Sequence, residues 1–286
     1  MTAQLIFTCI GVHFAMVPPK YTPDSLTTAL QRGGVSDLRF ACEVAERIVS
    51  AVIKHKDEEN IGAGFPAFRA RKGCIEEEVP EAGRLDFYPY IKSDIAAPPS
   101  GNSKIGRFNA PKSSVLYLAT KREVALAEVR ASYTDICTIG TFTTCRPLRL
   151  GTLLRIKKEP LRVLLEDDPS EDDLELWLLA RTAEFVSRRV SDDERELHYR
   201  ACNLIASAFQ QNGFDGLAYR TSFWSPGWRD DQQTEDEDHI YSSNLVFFDP
   251  KDAKPVRSAL YHINWKRPFS EVAGNAIWKA QPSTES

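Results

Sequence analysis

The sequence predicts an α+β protein, because helical and strand-like patterns occupy separate stretches of its 286 residues. Two stretches, 20–55 and 170–211, repeat apolar residues at helical spacing and carry helix start and stop signals. Seven short stretches are apolar or alternating, as strands are: 65–71, 115–119, 138–144, 148–156, 214–222, 244–249 and 256–263. This length allows one large domain, or one domain with a smaller helical partner.

Composition narrows the class of protein. A net charge of −4 offers no general attraction to phosphate backbones and disfavours nucleic-acid binding as a main role. No two of the six cysteines form a C-x-x-C pair, which argues against a zinc site. The apolar stretch 5–16 has no basic leader, and no apolar run reaches the roughly 20 residues of a membrane span. We therefore expect a reduced, cytoplasmic protein without a membrane segment.

The chain divides into three predicted parts. Thr22-Pro23 begins one helix, Gly33-Gly34 ends it, and a second helix runs to Lys54. His55 is expected to be a solvated helix-end residue. A turn at 62–64 then separates an N-terminal helical extension (1–62) from the main domain (63–270), which a tail (271–286) follows. Residues 73–105 are predicted to be a long surface loop, and the acidic stretch 223–240 a solvated loop or a lid.

The stretch 106–130 contains a turn, a short strand and a helix, and it places one carboxylate on an apolar helix face. Thr120 is predicted to be the N-cap of this helix, with Glu123 completing a capping box. Glu128 is the only charge on the face that carries Val124 and Ala125. Burying a carboxylate there costs several kcal/mol, by rough estimate, unless a partner meets it. Glu128 is therefore either paired with an Arg or held ready for positive charge in a reaction.

Further candidate residues lie in other segments. Strand 65–71 carries Arg69 and Arg71 on one face, where a guanidinium suits carboxylate or phosphate, or pairs with the acidic run at 76–78. His198 is either structural or faces a cleft. A Cys–His hydrolase is disfavoured, because none of the cysteines has a nearby His in the sequence.

Several of these segments together resemble the RES domain family, which is named for an Arg, a Glu and a Ser. The matching segments occur in the family's order: FRAR at 68–71, GRFNAPKSSVLYLATKREVALAEVR at 106–130, FDGLAYRTS at 214–222 and NLVFFD at 244–249. The resemblance covers about residues 63–265, and residues 1–62 resemble the helical extension of longer RES proteins. It implies a fold like that of the ADP-ribosyltransferases, with two packed, mostly antiparallel sheets around an NAD cleft.

The resemblance also implies an activity. RES proteins are commonly toxins of toxin–antitoxin pairs. They break NAD at the nicotinamide–ribose bond by hydrolysis or phosphorolysis, or transfer ADP-ribose to a protein. NAD is then the substrate, no metal is needed, water, inorganic phosphate or a target protein is the acceptor, and an Xre-type antitoxin is the expected partner. A RES-like binding or regulatory module that has lost activity is the alternative from another class.

By matched position the family's Arg is Arg69, with Arg71 as a rival, its Glu is Glu128, and a family Tyr falls on Tyr117. Positive charge develops on the ribose as the bond breaks, and a fixed carboxylate such as Glu128 stabilises it. Arg69 would clamp the pyrophosphate, and Tyr117 would stack on the nicotinamide.

The family's Ser is ambiguous in this sequence. Its usual spacing after Tyr219 points to Thr221, whereas Ser222 has the named residue type. Arg107 and Asn109, at the turn that enters the strand, contact phosphate or ribose in this interpretation, or else are structural.

Overall fold

The computed structural model describes residues 20–132, 135–154, 169–222, 242–262 and 270–271. Five α-helices are described: α1 (Pro23–Arg32), α2 (Val35–Lys54), α3 (Arg122–Glu128), α4 (Glu171–Ser187) and α5 (Asp192–Gln211). The strands β1 to β6 are Glu58–Ile61, Pro66–Lys72, Ile75–Val79, Arg84–Tyr88, Leu116–Ala119 and Ile136–Thr144. The strands β7 to β11 are Leu148–Leu153, Gly216–Arg220, Ser243–Phe247, Ala253–His262 and Ser270–Glu271.

The predicted α+β class is confirmed, and the strands are mostly antiparallel; the nine strands of the main sheet are hydrogen-bonded in one continuous order rather than in two separate sheets. Nine strands are ordered β1-β7-β8-β9-β5-β2-β6-β10-β11, and β7–β8 is the one parallel pair among the described strands. A single residue pair, Phe68↔Ala119, joins β2 to β5, so the sheet divides there into two halves. Side chains from both halves, including Leu118, Phe142 and Phe247, form one buried apolar cluster between them.

Helices cover the outer faces of both halves. α1, α2, α4 and α5 pack over β7, β8 and β9, in a cluster that includes Ile48, Phe209 and Leu217. α3 packs against the other half, where Leu126 meets Ile139. The helical pair at the N-terminus is therefore part of the main core, and β1 pairs with β7 at the sheet edge. The division at residue 62 stays a prediction.

Two local predictions are wrong. Residues 73–105 include a hairpin of β3 and β4, in which the acidic run at 76–78 forms most of one strand. The N-cap of α3 is Lys121 rather than Thr120, and Lys121 makes no side-chain capping bond. The Thr120 hydroxyl instead accepts from the Ser243 amide (3.0 Å) and donates to the Ser243 carbonyl (3.2 Å). The Thr120 hydroxyl is therefore hydrogen-bonded to the backbone of Ser243 and does not cap the helix.

Other predicted boundaries hold within a few residues. The Ser170 hydroxyl accepts from the Asp173 amide at the start of α4, as predicted. β7 ends at Leu153, and the predicted continuation to Ile156 lies outside the described residues. The acidic stretch 223–240 and the tail from 272 also lie outside them. None of the described helices has both the length and the apolar character needed to cross a membrane.

Candidate active site

A pocket of about 390 Å³ lies where β2 and β5 diverge, at the junction of the two sheet halves. Four residues predicted from the sequence line it: Arg69, Arg107, Tyr117 and Glu128. Its volume falls within the range of small-molecule sites. Strands that share only one residue pair leave room between their backbones, which explains why the pocket forms here.

Glu128 is the last residue of α3 and is half-buried in this pocket. Its Oε1 accepts a hydrogen bond from the Thr221 hydroxyl (2.6 Å) and another from the Asn244 amide Nδ2 (2.6 Å). No Lys or Arg of the described residues pairs with the Glu128 carboxylate. The Arg-paired alternative therefore finds no support in this part of the chain, and Glu128 remains open to a cation in the pocket.

Arg69 also lines the pocket, and its Nη1 is buried without a hydrogen-bond partner. Burial lowers the pKa of its guanidinium to about 10, and the neighbouring charge of Arg71 adds to this effect. The group still carries its full charge at neutral pH. A buried guanidinium with a spare donor is suited to an anionic ligand.

Arg71, the rival candidate on the same strand, has a different position. Its Nη2 donates to the Ala96 carbonyl at 2.8 Å, and Arg71 does not line the pocket. Strand alternation alone places both guanidinium groups on one face, but the segment that contains Ala96 engages only Arg71.

Tyr117 holds the turn that precedes β5. Its hydroxyl accepts from the Phe108 amide (2.8 Å) and donates to Asn109 Oδ1 (3.0 Å), while its ring lines the pocket. Asn109 Nδ2 in turn donates to the carbonyls of Lys104 (2.9 Å) and Ser113 (3.1 Å). Burial raises the pKa of Tyr117, so its phenol stays neutral. Asn109 thus uses its amide within the turn, and its predicted ligand contact stays a prediction.

Arg107 joins this turn to the helical layer. Its guanidinium donates to the carbonyls of Val186 and Arg188 at the C-terminal end of α4, where a positive charge is favourable. Asn203 of α5 donates to the Gly106 carbonyl at 3.0 Å. Arg107 therefore serves a structural purpose as well as lining the pocket, and its predicted contact with phosphate or ribose stays a prediction.

The structure separates the two candidates for the family's Ser by position. Thr221, which follows β8, is buried and donates to Glu128. Ser222 is half-buried at the end of the described segment, and neither Thr221 nor Ser222 is part of the pocket lining.

Among the lining residues with polar side chains, three were not predicted from the sequence: Tyr199, Tyr219 and Asn244. Asn244 had a signal, since it is polar in an otherwise apolar strand pattern. Tyr199 lies on α5, whose amphipathic pattern gave no indication that one side chain would reach the pocket.

One Cys–His pair is found among the described residues, contrary to the expectation that no cysteine has a nearby histidine. His198 and Cys202 lie four residues apart on α5, with 3.6 Å between Nε2 and Sγ. That premise was wrong because a spacing of four residues brings two side chains together on one helix face, while the prediction that a Cys–His hydrolase is disfavoured is not contradicted. Burial raises the pKa of Cys202 to about 12 and lowers the pKa of His198 to about 3. The pair is a neutral thiol beside a neutral imidazole, buried away from the pocket, and it lacks the thiolate that a nucleophile needs.

Three side chains with metal-ligating groups meet away from the pocket: His55, Asp172 and Glu175. Lys54 Nζ lies 2.7 Å from the Asp172 carboxylate and 2.8 Å from that of Glu175, so one ammonium already forms salt bridges with both. His55 Nε2 lies 3.0 Å from Glu175. His55 is therefore paired rather than only solvated, and the group ties the end of α2 to the start of α4.

Comparison with known proteins identifies the family. A comparison with curated proteins gave no significant match. The chain is similar to a chain in the crystal structure of the M. tuberculosis MbcT–MbcA toxin–antitoxin complex, at 12% identity, covering 75% of this chain and 91% of that one. The TM-score is 0.37, which is too low for this likeness to support a conclusion about function. The sequence profile of the RES domain matches residues 82–269, well over half of the chain, and the protein therefore belongs to the RES domain family.

Proposed function

We propose that this protein is a RES-type toxin that cleaves NAD at the nicotinamide–ribose bond. One observation carries the proposal: Arg69, whose Nη1 is buried without a hydrogen-bond partner, and Glu128, which forms no salt bridge with a described residue, line the same pocket. A ligand with an anionic part and a part that becomes cationic matches both groups. NAD has an anionic pyrophosphate, and its ribose becomes cationic as the glycosidic bond breaks.

In the proposed reaction, Glu128 acts at the bond that breaks. The bond from ribose C1′ to the nicotinamide nitrogen breaks, and its electron pair leaves with nicotinamide. The Glu128 carboxylate stabilises the positive charge that develops on the ribose. Water then attacks C1′ and loses a proton, which gives ADP-ribose, or inorganic phosphate attacks and gives ADP-ribose phosphate.

Other predicted residues bind or orient NAD in this proposal. Arg69 binds the pyrophosphate through its free donor, and the ring of Tyr117 stacks on nicotinamide, because its hydroxyl is already used within the turn. Thr221 takes the family's Ser position, since its hydroxyl donates to the Glu128 carboxylate. We expect the protein to act in the cytoplasm and to be neutralised by an Xre-type antitoxin that covers the pocket.

The test compares NAD consumption by the wild type, Glu128→Gln and Glu123→Gln. Glutamine keeps the shape of Glu128 and still accepts from Thr221 and Asn244, so the fold and NAD binding should persist while turnover falls about 100-fold or more. Glu123 lies in the first turn of the same helix without lining the pocket, and its variant should keep wild-type turnover.

Identification of the products by mass distinguishes the alternatives. Free ADP-ribose or ADP-ribose phosphate supports the proposal. Labelled protein instead supports an ADP-ribosyltransferase, and NAD that binds without being consumed supports an inactive binding module. Unchanged consumption by Glu128→Gln would refute the assigned role of this carboxylate.

A further inference from the structure

We propose that Asn244 is a positioning residue that fixes the orientation of the Glu128 carboxylate; this inference rests on the function proposed above. Asn244 Nδ2 lies 2.6 Å from Glu128 Oε1, across 116 residues of sequence. The Thr221 hydroxyl donates to the same oxygen, also at 2.6 Å. Both protein donors therefore meet one carboxylate oxygen, and in the described part of the chain none reaches the other, Oε2.

The Glu128 carboxylate needs donors that fix its orientation because of its place in the fold. Glu128 is the last residue of a seven-residue helix, and the chain turns directly after it, with Arg130 at φ 50°. The terminal torsion of a glutamate is broad and roughly two-fold, so an unbound carboxylate would rotate freely. Two donors on Oε1 select one orientation and leave Oε2 as the oxygen available to the pocket.

Asn244 is well placed to supply a rigid donor. Asn244 is only 3% exposed. Its strand, β9, is paired on both sides, with Ala119 of β5 and Tyr219 of β8 opposite Asn244. A side chain on such a central strand is held more firmly than one on a loop. The amide also donates without adding charge, whereas an aspartate here would place a second carboxylate against Glu128.

The experiment measures kcat, KM and the dissociation constant of NAD for Asn244→Leu and Asn244→Asp. Asn244→Leu removes the donor at similar size, whereas Asn244→Asp replaces the neutral amide donor with a carboxylate that repels Glu128 or shares a proton with it. The near-isosteric Asp variant carries the test if the Leu variant does not fold. We expect kcat to fall about 10- to 100-fold while KM and NAD affinity stay within about 3-fold, because the interaction improves the orientation of a catalytic group.

Repeating both substitutions in a Glu128→Gln background separates positioning from direct contact. If Asn244 acts through Glu128, the same change should alter the residual turnover by less than about 2-fold. A crystal structure of Asn244→Leu should show the Glu128 carboxylate rotated or in two orientations, a readout that does not depend on activity.

Three results would overturn the inference: weaker NAD binding with unchanged kcat, which indicates a substrate contact; losses that add fully to those of Glu128→Gln; or a carboxylate that keeps its orientation in the variant. Failure of the proposed function is seen separately. In that case the wild type consumes no NAD, or Glu128→Gln consumes as much as the wild type.

Discussion

Arg69 should oppose folding and favour NAD binding, so its substitution should change stability and affinity in opposite directions. Its Nη1 is buried without a partner, and desolvation lowers the pKa of the guanidinium to about 10. Arg69→Met removes the charge and keeps an apolar stem of comparable length. We expect a more stable protein that binds NAD more weakly.

The size of both effects follows from the structure. A guanidinium pKa lowered to about 10 corresponds to roughly 3 kcal/mol of unfavourable charge burial. Because the pKa is lowered, this cost is fully present below about pH 10 and disappears as the pH rises towards the unfolded pKa. Replacing a buried charge by an apolar side chain is neutral to stabilising, so we expect the free energy of unfolding to rise by about 1–3 kcal/mol. Each kcal/mol raises Tm by roughly 2–4 °C.

The loss of affinity has a separate estimate. Hydrogen bonds to a charged group contribute about 1.5–3 kcal/mol, so the dissociation constant of NAD should rise roughly 10- to 150-fold. The titration is made in a Glu128→Gln background, where NAD survives the measurement, and stability is followed by urea unfolding at pH 7.5.

Arg71→Met is the matched control, two residues along the same strand. It loses the bond to the Ala96 carbonyl and should lower the free energy of unfolding by about 1 kcal/mol, with NAD affinity within about 2-fold. The prediction is refuted if Arg69→Met is the less stable of the two variants, or if it binds NAD as tightly as the parent does.

Two further predictions concern stability. Gly216→Ala should lower the free energy of unfolding by at least about 2 kcal/mol in urea titrations, because its Cβ would overlap the carbonyl oxygen of Val246 on the paired strand. Gly62→Ala meets no atom within 4 Å and should stay within about 0.5 kcal/mol of the wild type; equal losses would contradict the role of packing at Gly216. His198, whose pKa burial lowers to about 3, should make the protein lose stability as the pH falls below about 6.5, by roughly 1.4 kcal/mol per pH unit, since only the unfolded state takes up the proton. His198→Leu should flatten urea midpoints measured between pH 4.5 and 7, and parallel curves for the two proteins would show that this imidazole does not contribute.

The sequence alone determined the features that depend on neighbouring residues. Strand periodicity gave the stretches that became β2, β5, β8 and β9, and Ser170 marked the start of α4. The placement of Glu128 on an apolar helix face needed only the 3.6-residue repeat. These features follow from period and capping, which act over a few residues. The hairpin of β3 and β4 escaped prediction because its strands are mostly exposed and β3 carries three consecutive glutamates, which interrupt the alternation of apolar and polar residues.

Only the tertiary structure decided which side chains meet in the pocket. Arg69 and Arg71 share a strand face, and the segment containing Ala96 leaves only Arg69 with a free donor in the pocket. Thr221 and Asn244 reach Glu128 across 93 and 116 residues, through the pairing of β5, β8 and β9. Local pattern fixes which way a side chain faces along its own strand or helix. Which distant residue lies opposite is set by strand register and by packing between the sheet halves, and no repeat in the sequence records it.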